Sequence, residues 1–151
     1  MTSIIKATEH EIDLVINIRL EMLKIVNNLP EDTVFSKEFI HSTKEYFKSP
    51  HQTTVLSVCD NEVVGCATIC YITVLPTFDH PGGKRAHFMN VYTRSSHRRQ
   101  GIALRMMEVL IQEARQKGVS EISLDATESG RLLYKKCGFV DAAESMVLNI
   151  E

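Results

Sequence analysis

The sequence predicts an α+β fold with six to seven strands and about four helices. Apolar residues recur at helical spacing in four segments, and other segments are rich in β-branched residues between turn residues. These segments follow the order strand, two helices, three strands, helix, strand, helix, and one or two final strands. Because sequential strands usually pair, the three central strands are expected to be antiparallel neighbours.

The composition shows no strong charge bias. The 151 residues are 44% hydrophobic and 24% charged, and the net charge of −2 gives no bias toward nucleic acid or a membrane surface. We expect one domain over residues 1–151. Since no apolar run reaches the length of a membrane span and no secretory leader is visible, a cytoplasmic location is expected.

The cysteines form no pattern typical of a metal site or a disulfide framework. None belongs to a C-x-x-C pair, and no histidine doublet lies at zinc-finger spacing. We therefore expect reduced thiols and no metal. The four residues are Cys59, Cys66, Cys70 and Cys137.

The first third of the chain predicts one strand and two helices. The run "TSIIKAT" is typical of a short strand, and Thr8 with Glu11 has the spacing of a capping box that begins a helix. Pro30 ends this helix, and a second helix is expected from about Ser36 to Lys48.

The middle third predicts three strands and a helix. A short Asp-Asn turn joins "TTVLSVCD" to "EVVGCATICYITVL", which is typical of a hairpin. A loop rich in proline and glycine leads to the fourth strand, "AHFMNVYT". A helix is then expected from Gly101 to about Lys117, with Gly118 ending it.

The last third predicts one further helix between strands. The run "EISLDAT" is typical of a fifth strand, and "SGRLLYKKC" of a short helix that Gly138 ends. The final run, "FVDAAESMVLNI", is expected to supply the last one or two strands.

The start of the third helix has the features of an anion-binding site. A helix begins with about four backbone N–H groups that lack acceptors, and with about half a positive charge. In "RRQGIA", Gly101 lets a ligand approach the backbone without a Cβ in the way, and Arg98 and Arg99 add positive charge. The alternative is an ordinary strand-to-helix turn with solvated arginines. Walker and dinucleotide-binding patterns are absent.

Two motifs together resemble those of the GNAT superfamily of acyl-CoA-dependent N-acyltransferases. The run "RRQGIA" matches the loop [QR]-x-x-G-x-[GA], and "LLYKKCGF" is similar to the element L-Y-x-K-x-G-F at the usual separation. The chain is therefore identified as a member of the small single-domain type. The resemblance implies a GNAT fold, a three-layer arrangement around a mixed, mostly antiparallel sheet. It also implies acetyl-CoA as co-substrate, and acetyl transfer to a primary amine by direct attack in a ternary complex.

The resemblance implies two backbone segments that hold coenzyme A. One binds the pyrophosphate through its amides, and the other pairs with the pantetheine amides as an added strand would. The first segment comprises Arg99, Gln100, Gly101, Ile102, Ala103 and Leu104, and the second comprises Val91, Tyr92 and Thr93.

The resemblance also implies an acid at Tyr134, which corresponds to the tyrosine that protonates the departing thiolate in many members. The acyl carrier alternative, Cys137, lies in the turn after this tyrosine and is interpreted as a packing residue.

At the position of the general base, this chain departs from the family pattern. Many members carry a glutamate where this chain has Met89 and Asn90, or one on the fifth strand at roughly Ser123. Asn90 with an ordered water is the first expectation for proton removal, and Asp125 and His87 are the alternatives.

The acceptor stays open, as a small-molecule amine or a peptide. The resemblance places its pocket beside "NNLPEDTVF" and "PTFDHPGGKRAH", where Glu31 and Asp32 could attract an amine. A catalytically weak acyl-CoA-binding regulatory module of the same fold is the alternative function. A nucleic-acid binder is disfavoured by the net charge of −2. A homodimer is a further expectation, since such domains commonly pair.

Overall fold

The computed structural model describes residues 1–142 and 144–150, and within them five strands form one sheet. The strands, adjacent in chain order, are β1 (Thr2–Lys6), β2 (Gln52–Cys59), β3 (Glu62–Thr73), β4 (Lys84–Thr93) and β5 (Glu121–Leu124). The helices are α1 (Ile12–Val26), α2 (Lys37–Lys48), α3 (Ile102–Gln116) and α4 (Arg131–Lys136). The first four strands are antiparallel and β5 runs parallel to β4, so the sheet is mixed and mostly antiparallel.

Local sequence signals set the ends of these elements. The Thr8 amide donates to a Glu11 carboxylate oxygen at 2.8 Å, and the Thr8 hydroxyl accepts from the His10 amide, which closes the capping box before α1. Asp60 and Asn61 both adopt positive φ, at 50° and 64°, in the turn between β2 and β3. A two-residue hairpin turn with this conformation matches the twist of the strands that it joins.

Two apolar cores lie on opposite faces of the sheet. On one face α3 buries Met106, Met107 and Leu110 against side chains of β2, β3 and β4, and α4 packs at its margin. On the other face α1 buries Val15 and Ile18 against β2, β3 and β4. The result is the three-layer arrangement that the sequence predicts, with a helix pair on each side.

The predicted final strands are absent from the described residues. Residues 139–142 and 144–150 belong to no strand, and the apolar side chains of the run "MVLNI" are largely exposed. The expectation of six to seven strands is therefore wrong by one or two. The physical reason is that a strand requires a hydrogen-bonded neighbour, and nothing in the described residues pairs with this segment or with the outer edge of β5.

Candidate active site

The backbone amides at the start of α3 point to an anion site. Within the described residues, the consecutive N–H groups of residues 99–104 donate to no protein acceptor. Arg99 and Gly101 adopt left-handed φ values of 62° and 75°. A Cβ built on Gly101 would meet no atom within 4 Å, so the space beside this turn is open. Unpaired amides at a helix start, with open space beside a glycine, suit a phosphate group.

The basic residues around this turn have different roles. Arg98 braces the turn, because its Nε donates to the carbonyl oxygen of Thr93 at 2.9 Å. Arg94 does not add free charge, since it forms a bidentate pair with Glu21 at 2.8 and 3.0 Å. Arg99 is exposed at the turn itself. The positive charge available to a ligand therefore comes from the helix start and from Arg98 and Arg99, which are exposed and form no ion pair within the described residues.

A bulge in β4 opens the sheet next to this turn. Thr68 pairs with Met89 while Cys66 pairs with Tyr92, so β4 has one more residue than β3 in this interval. Asn90, inside the bulge, has a φ of 60°. Pairing between β4 and β5 ends at Phe88, so residues 89–93 face no strand on the β5 side within the described part of the chain. This gap is a slot that could pair with an extended ligand as an extra strand would.

Tyr134 lies where the two strands part. Its ring packs edge-on against Phe139 at 6.2 Å between centroids, and Phe139 packs in turn against Phe88, the last paired residue of β4. Burial, and then the nearby Cys137 thiol, raise the pKa of the Tyr134 hydroxyl above its usual value. The hydroxyl therefore holds its proton at neutral pH and can act as an acid.

Asn90 is buried on the opposite face of the sheet, at 8% exposure. Its Nδ2 donates to the Thr68 hydroxyl at 3.2 Å, and its Oδ1 accepts from Arg19 at 3.3 Å. The side chain is thus held on both sides, and Oδ1 keeps a second lone pair for a water.

The two alternative bases lie close to each other on the same face. His87 Nδ1 lies 2.7 Å from the Ser123 hydroxyl, and its Nε2 lies 3.7 Å from an Asp125 carboxylate oxygen. Asp125 is fully exposed, whereas the His87 side chain is 24% exposed. Sequence analysis gave these residues as separate candidates for the base. The fold brings them together where the paired parts of β4 and β5 end.

A family model described as "Acetyltransferase (GNAT) family" matches residues 20–139 of the sequence, which include the turn, the slot and Tyr134. The chain belongs to the GNAT acetyltransferase family.

Individual relatives agree with this membership. A crystal structure of a predicted acetyltransferase with acetyl-CoA from Clostridium acetobutylicum superposes with a TM-score of 0.86 at 29% identity, covering 99% of this chain and 97% of that one. The probable glucosamine 6-phosphate N-acetyltransferase 2 of Oryza sativa subsp. japonica is 34% identical over 67 residues, 44% of this chain and 40% of that protein. Human N-acetyltransferase 8 is 31% identical over 107 residues, 68% of this chain and 45% of its own length. The chain thus spans less than half the length of these two curated relatives.

This GNAT chain has a cavity of about 600 Å³ on the α1 and α2 face of the sheet. It opens beside Asn90 and His87, and its walls come from α2 and from β3 and β4. Glu31 and Asp32, which could attract an amine, do not contribute to the wall of this cavity. Phe78, in the other expected segment, is 99% exposed.

Sequence reasoning missed Arg19, which looks like an ordinary polar residue of an amphipathic helix. The family resemblance implies a pocket beside the first two helices, and the structure shows that the α2 residues in the cavity wall include Phe39, Tyr46 and Phe47.

The remaining candidates fit packing rather than chemistry. Burial raises the pKa of the Cys137 thiol, which keeps it protonated and a poor nucleophile.

In residues 1–142 and 144–150 no group of three or more His, Cys, Asp or Glu side chains could hold a metal ion. In the same residues no helix has both the length and the apolar character needed to cross a bilayer.

Proposed function

We propose that this chain transfers an acetyl group from acetyl-CoA to a primary amine by direct attack in a ternary complex. One observation carries this: the unpaired amides of residues 99–104 adjoin the stretch of β4 that parts from β5. The combination offers an anion site next to a strand edge, which suits a pyrophosphate joined to an amide-containing arm. The co-substrate would supply the acyl thioester.

Backbone groups supply most of the binding in this proposal. The pyrophosphate would lie on the amides of Arg99, Gln100, Gly101, Ile102, Ala103 and Leu104, and the pantetheine arm along Val91, Tyr92 and Thr93. Main-chain groups on a rigid strand and at a helix start are already oriented for binding. The protein therefore loses little conformational entropy when the ligand binds.

Side chains on the two faces of the sheet would donate and remove the protons of the reaction. As the amine nitrogen bonds to the acyl carbon and the carbon–sulfur bond breaks, the Tyr134 hydroxyl donates its proton to the departing sulfur. Backbone N–H groups near the bulge would polarise the acyl oxygen. A water on Asn90 Oδ1 would carry the proton that the amine loses to bulk solvent, from which Tyr134 would regain its own.

A pair of variants separates the candidate bases. If the Asn90-bound water carries the proton, Asn90→Ala should lower kcat by at least about tenfold, and His87→Gln should change it little. The opposite pattern, with the acidic limb of the pH–rate profile lost in His87→Gln, would assign the base to His87 and its Asp125 neighbour.

Coenzyme A binding tests the proposal directly. Gly101→Glu places a carboxylate against the amides of the turn, so isothermal titration calorimetry should show loss of coenzyme A binding. Gly82→Glu controls for an added carboxylate in open space, and Gly101→Ala, at the same positive φ, separates backbone strain from the effect of the carboxylate. Circular dichroism should show all three variants folded. Retained binding in Gly101→Glu would contradict the proposal.

A catalytically weak acyl-CoA-binding module is the second candidate. It is favoured by the absence of a carboxylate at Met89 and Asn90, and by the full exposure of the Asp125 side chain. A thiol-release assay over a panel of amines and peptides decides between the two, since only an acetyltransferase releases coenzyme A in an amine-dependent way.

We also propose that the chain forms a homodimer through its C-terminal segment. The exposed side chains of Met146, Val147 and Leu148 lie next to no partner strand, and the outer edge of β5 has none either in the described residues. Unpaired edges are usually covered, and a second copy offers a segment and an edge that complement each other. Light scattering should give twice the monomer mass, and removal of residues 144–151 should give a monomer. A full-length monomer would contradict this.

We also propose that the protein is located in the cytoplasm. This location is supported by the four cysteines, which are all free thiols in the structure.

A further inference from the structure

The guanidinium of Arg19 is an unbalanced charge in the wall of the cavity. Arg19 is partly buried on α1, and burial lowers its pKa from the usual value. Its one hydrogen bond within the described residues goes to Asn90 Oδ1, and no carboxylate there lies within salt-bridge distance. A guanidinium has five N–H donors, so most of its capacity is free for a ligand.

The rest of the cavity wall has no acidic side chain that could pair with Arg19. None of the lining residues is an aspartate or a glutamate, and the other basic residues of the wall are His51 and His87. Half-buried cations are stabilised by an anion that pairs with them. A polycationic acceptor would meet repulsion here rather than attraction.

Large apolar side chains cover much of the remaining wall. Phe39, Tyr46, Ile72 and Met89 line the cavity and are each between 38% and 48% exposed, which is unusual for residues of this kind in a cluster. An acceptor with an apolar portion would remove this surface from water.

We propose that the acceptor is an amine with an anionic group close to its nitrogen and an apolar body, and that Arg19 binds the anionic group. This inference rests on the proposed acetyl transfer for the role of the amine. Arg19 touches Asn90 in the bulge, where the amine must arrive, so the anionic group and the nitrogen are separated by only a few bonds. An apolar α-amino acid has this arrangement.

Paired acceptors test the charge without changing the apolar body. Phenylalanine is compared with phenethylamine, which lacks the carboxylate, by calorimetric binding in the presence of coenzyme A and by thiol release with acetyl-CoA. The charged member should bind about 10- to 100-fold more tightly and have a correspondingly lower KM.

Arg19→Gln should remove the preference for phenylalanine over phenethylamine and leave the affinity for coenzyme A unchanged. Glutamine removes the charge and keeps an N–H donor on a shorter side chain. Arg115→Gln, on the exposed face of α3, is the matched control and should keep the preference. Melting temperatures confirm that both variants fold.

Two results would overturn the inference. One is equal binding of the charged and uncharged members by the unmodified protein. The other is a fall in kcat for both members alike in Arg19→Gln, which would mean that Arg19 acts only through Asn90. If no amine releases coenzyme A, the proposed function fails, but the calorimetric comparison still decides whether Arg19 binds an anion.

Discussion

The substitution Gly130→Ala should displace the proposed acid, Tyr134, without touching it chemically. A Cβ at position 130 would lie 2.8 Å from Cε2 and 3.2 Å from the hydroxyl oxygen of Tyr134. Carbon atoms pack at about 3.5–4.0 Å, so the ring has to move by about 0.7 Å or more. Phe139 packs against the ring, so it cannot move freely in every direction. Since a misplacement of about 1 Å can cost about 100-fold in rate, kcat should fall by about 10- to 100-fold.

The assay is coenzyme A release with the best acceptor from the paired panel, measured in a double-mutant cycle. Tyr134→Phe alone should lower kcat by at least about tenfold, because the departing sulfur loses its proton donor. Adding Gly130→Ala to Tyr134→Phe should then change kcat little, since no hydroxyl remains to misplace. Gly82→Ala controls for the extra methyl group, because it meets nothing within 4 Å. An equal loss from Gly130→Ala in both backgrounds would refute the reasoning.

The remaining predictions concern stability, thiol reactivity and pH. Gly65→Ala would bring a Cβ to 2.6 Å from a serine hydroxyl and 2.7 Å from a carbonyl oxygen of β4, so it should destabilise the fold by about 1–3 kcal/mol and lower Tm in calorimetry by several degrees. An unchanged Tm would contradict this. Burial raises the pKa of Cys66 to about 12, so mass spectrometry should find this thiol unalkylated at pH 8 until denaturant is added. Rapid labelling of the folded protein would contradict that. The raised pKa of Tyr134 keeps the acid protonated, so kcat should not fall on the alkaline side until the pH exceeds the ordinary pKa of a tyrosine. A fall near pH 8 that Tyr134→Phe abolishes would contradict this.

Local signals in the sequence predicted most of the fold. The capping box at Thr8 and Glu11, the turn at Asp60 and Asn61, and the helix-ending Gly118 all act over a few residues, and each is present in the structure. The prediction of C-terminal strands was wrong, because the β-rich pattern of a segment does not show whether another strand is available to pair with it.

In the candidate site, too, features formed by contiguous residues were predictable and features formed by distant residues were not. The turn at Gly101 and the tyrosine of α4 were predictable from motifs, because their residues are contiguous. The approach of His87 to Asp125, and of Arg19 to Asn90, depends on strand register and helix packing, which the sequence pattern does not show. The bulge at Asn90 also has no local signal, since no residue pattern indicates a positive φ at that asparagine.

A crystal structure with coenzyme A tests the central claim most directly. The account predicts pyrophosphate oxygens within about 3.2 Å of the backbone nitrogens of residues 99–104, and the pantetheine arm beside Val91 to Thr93 in the gap between β4 and β5. Coenzyme A bound elsewhere on the molecule, with those amides turned away from its phosphates, would contradict it.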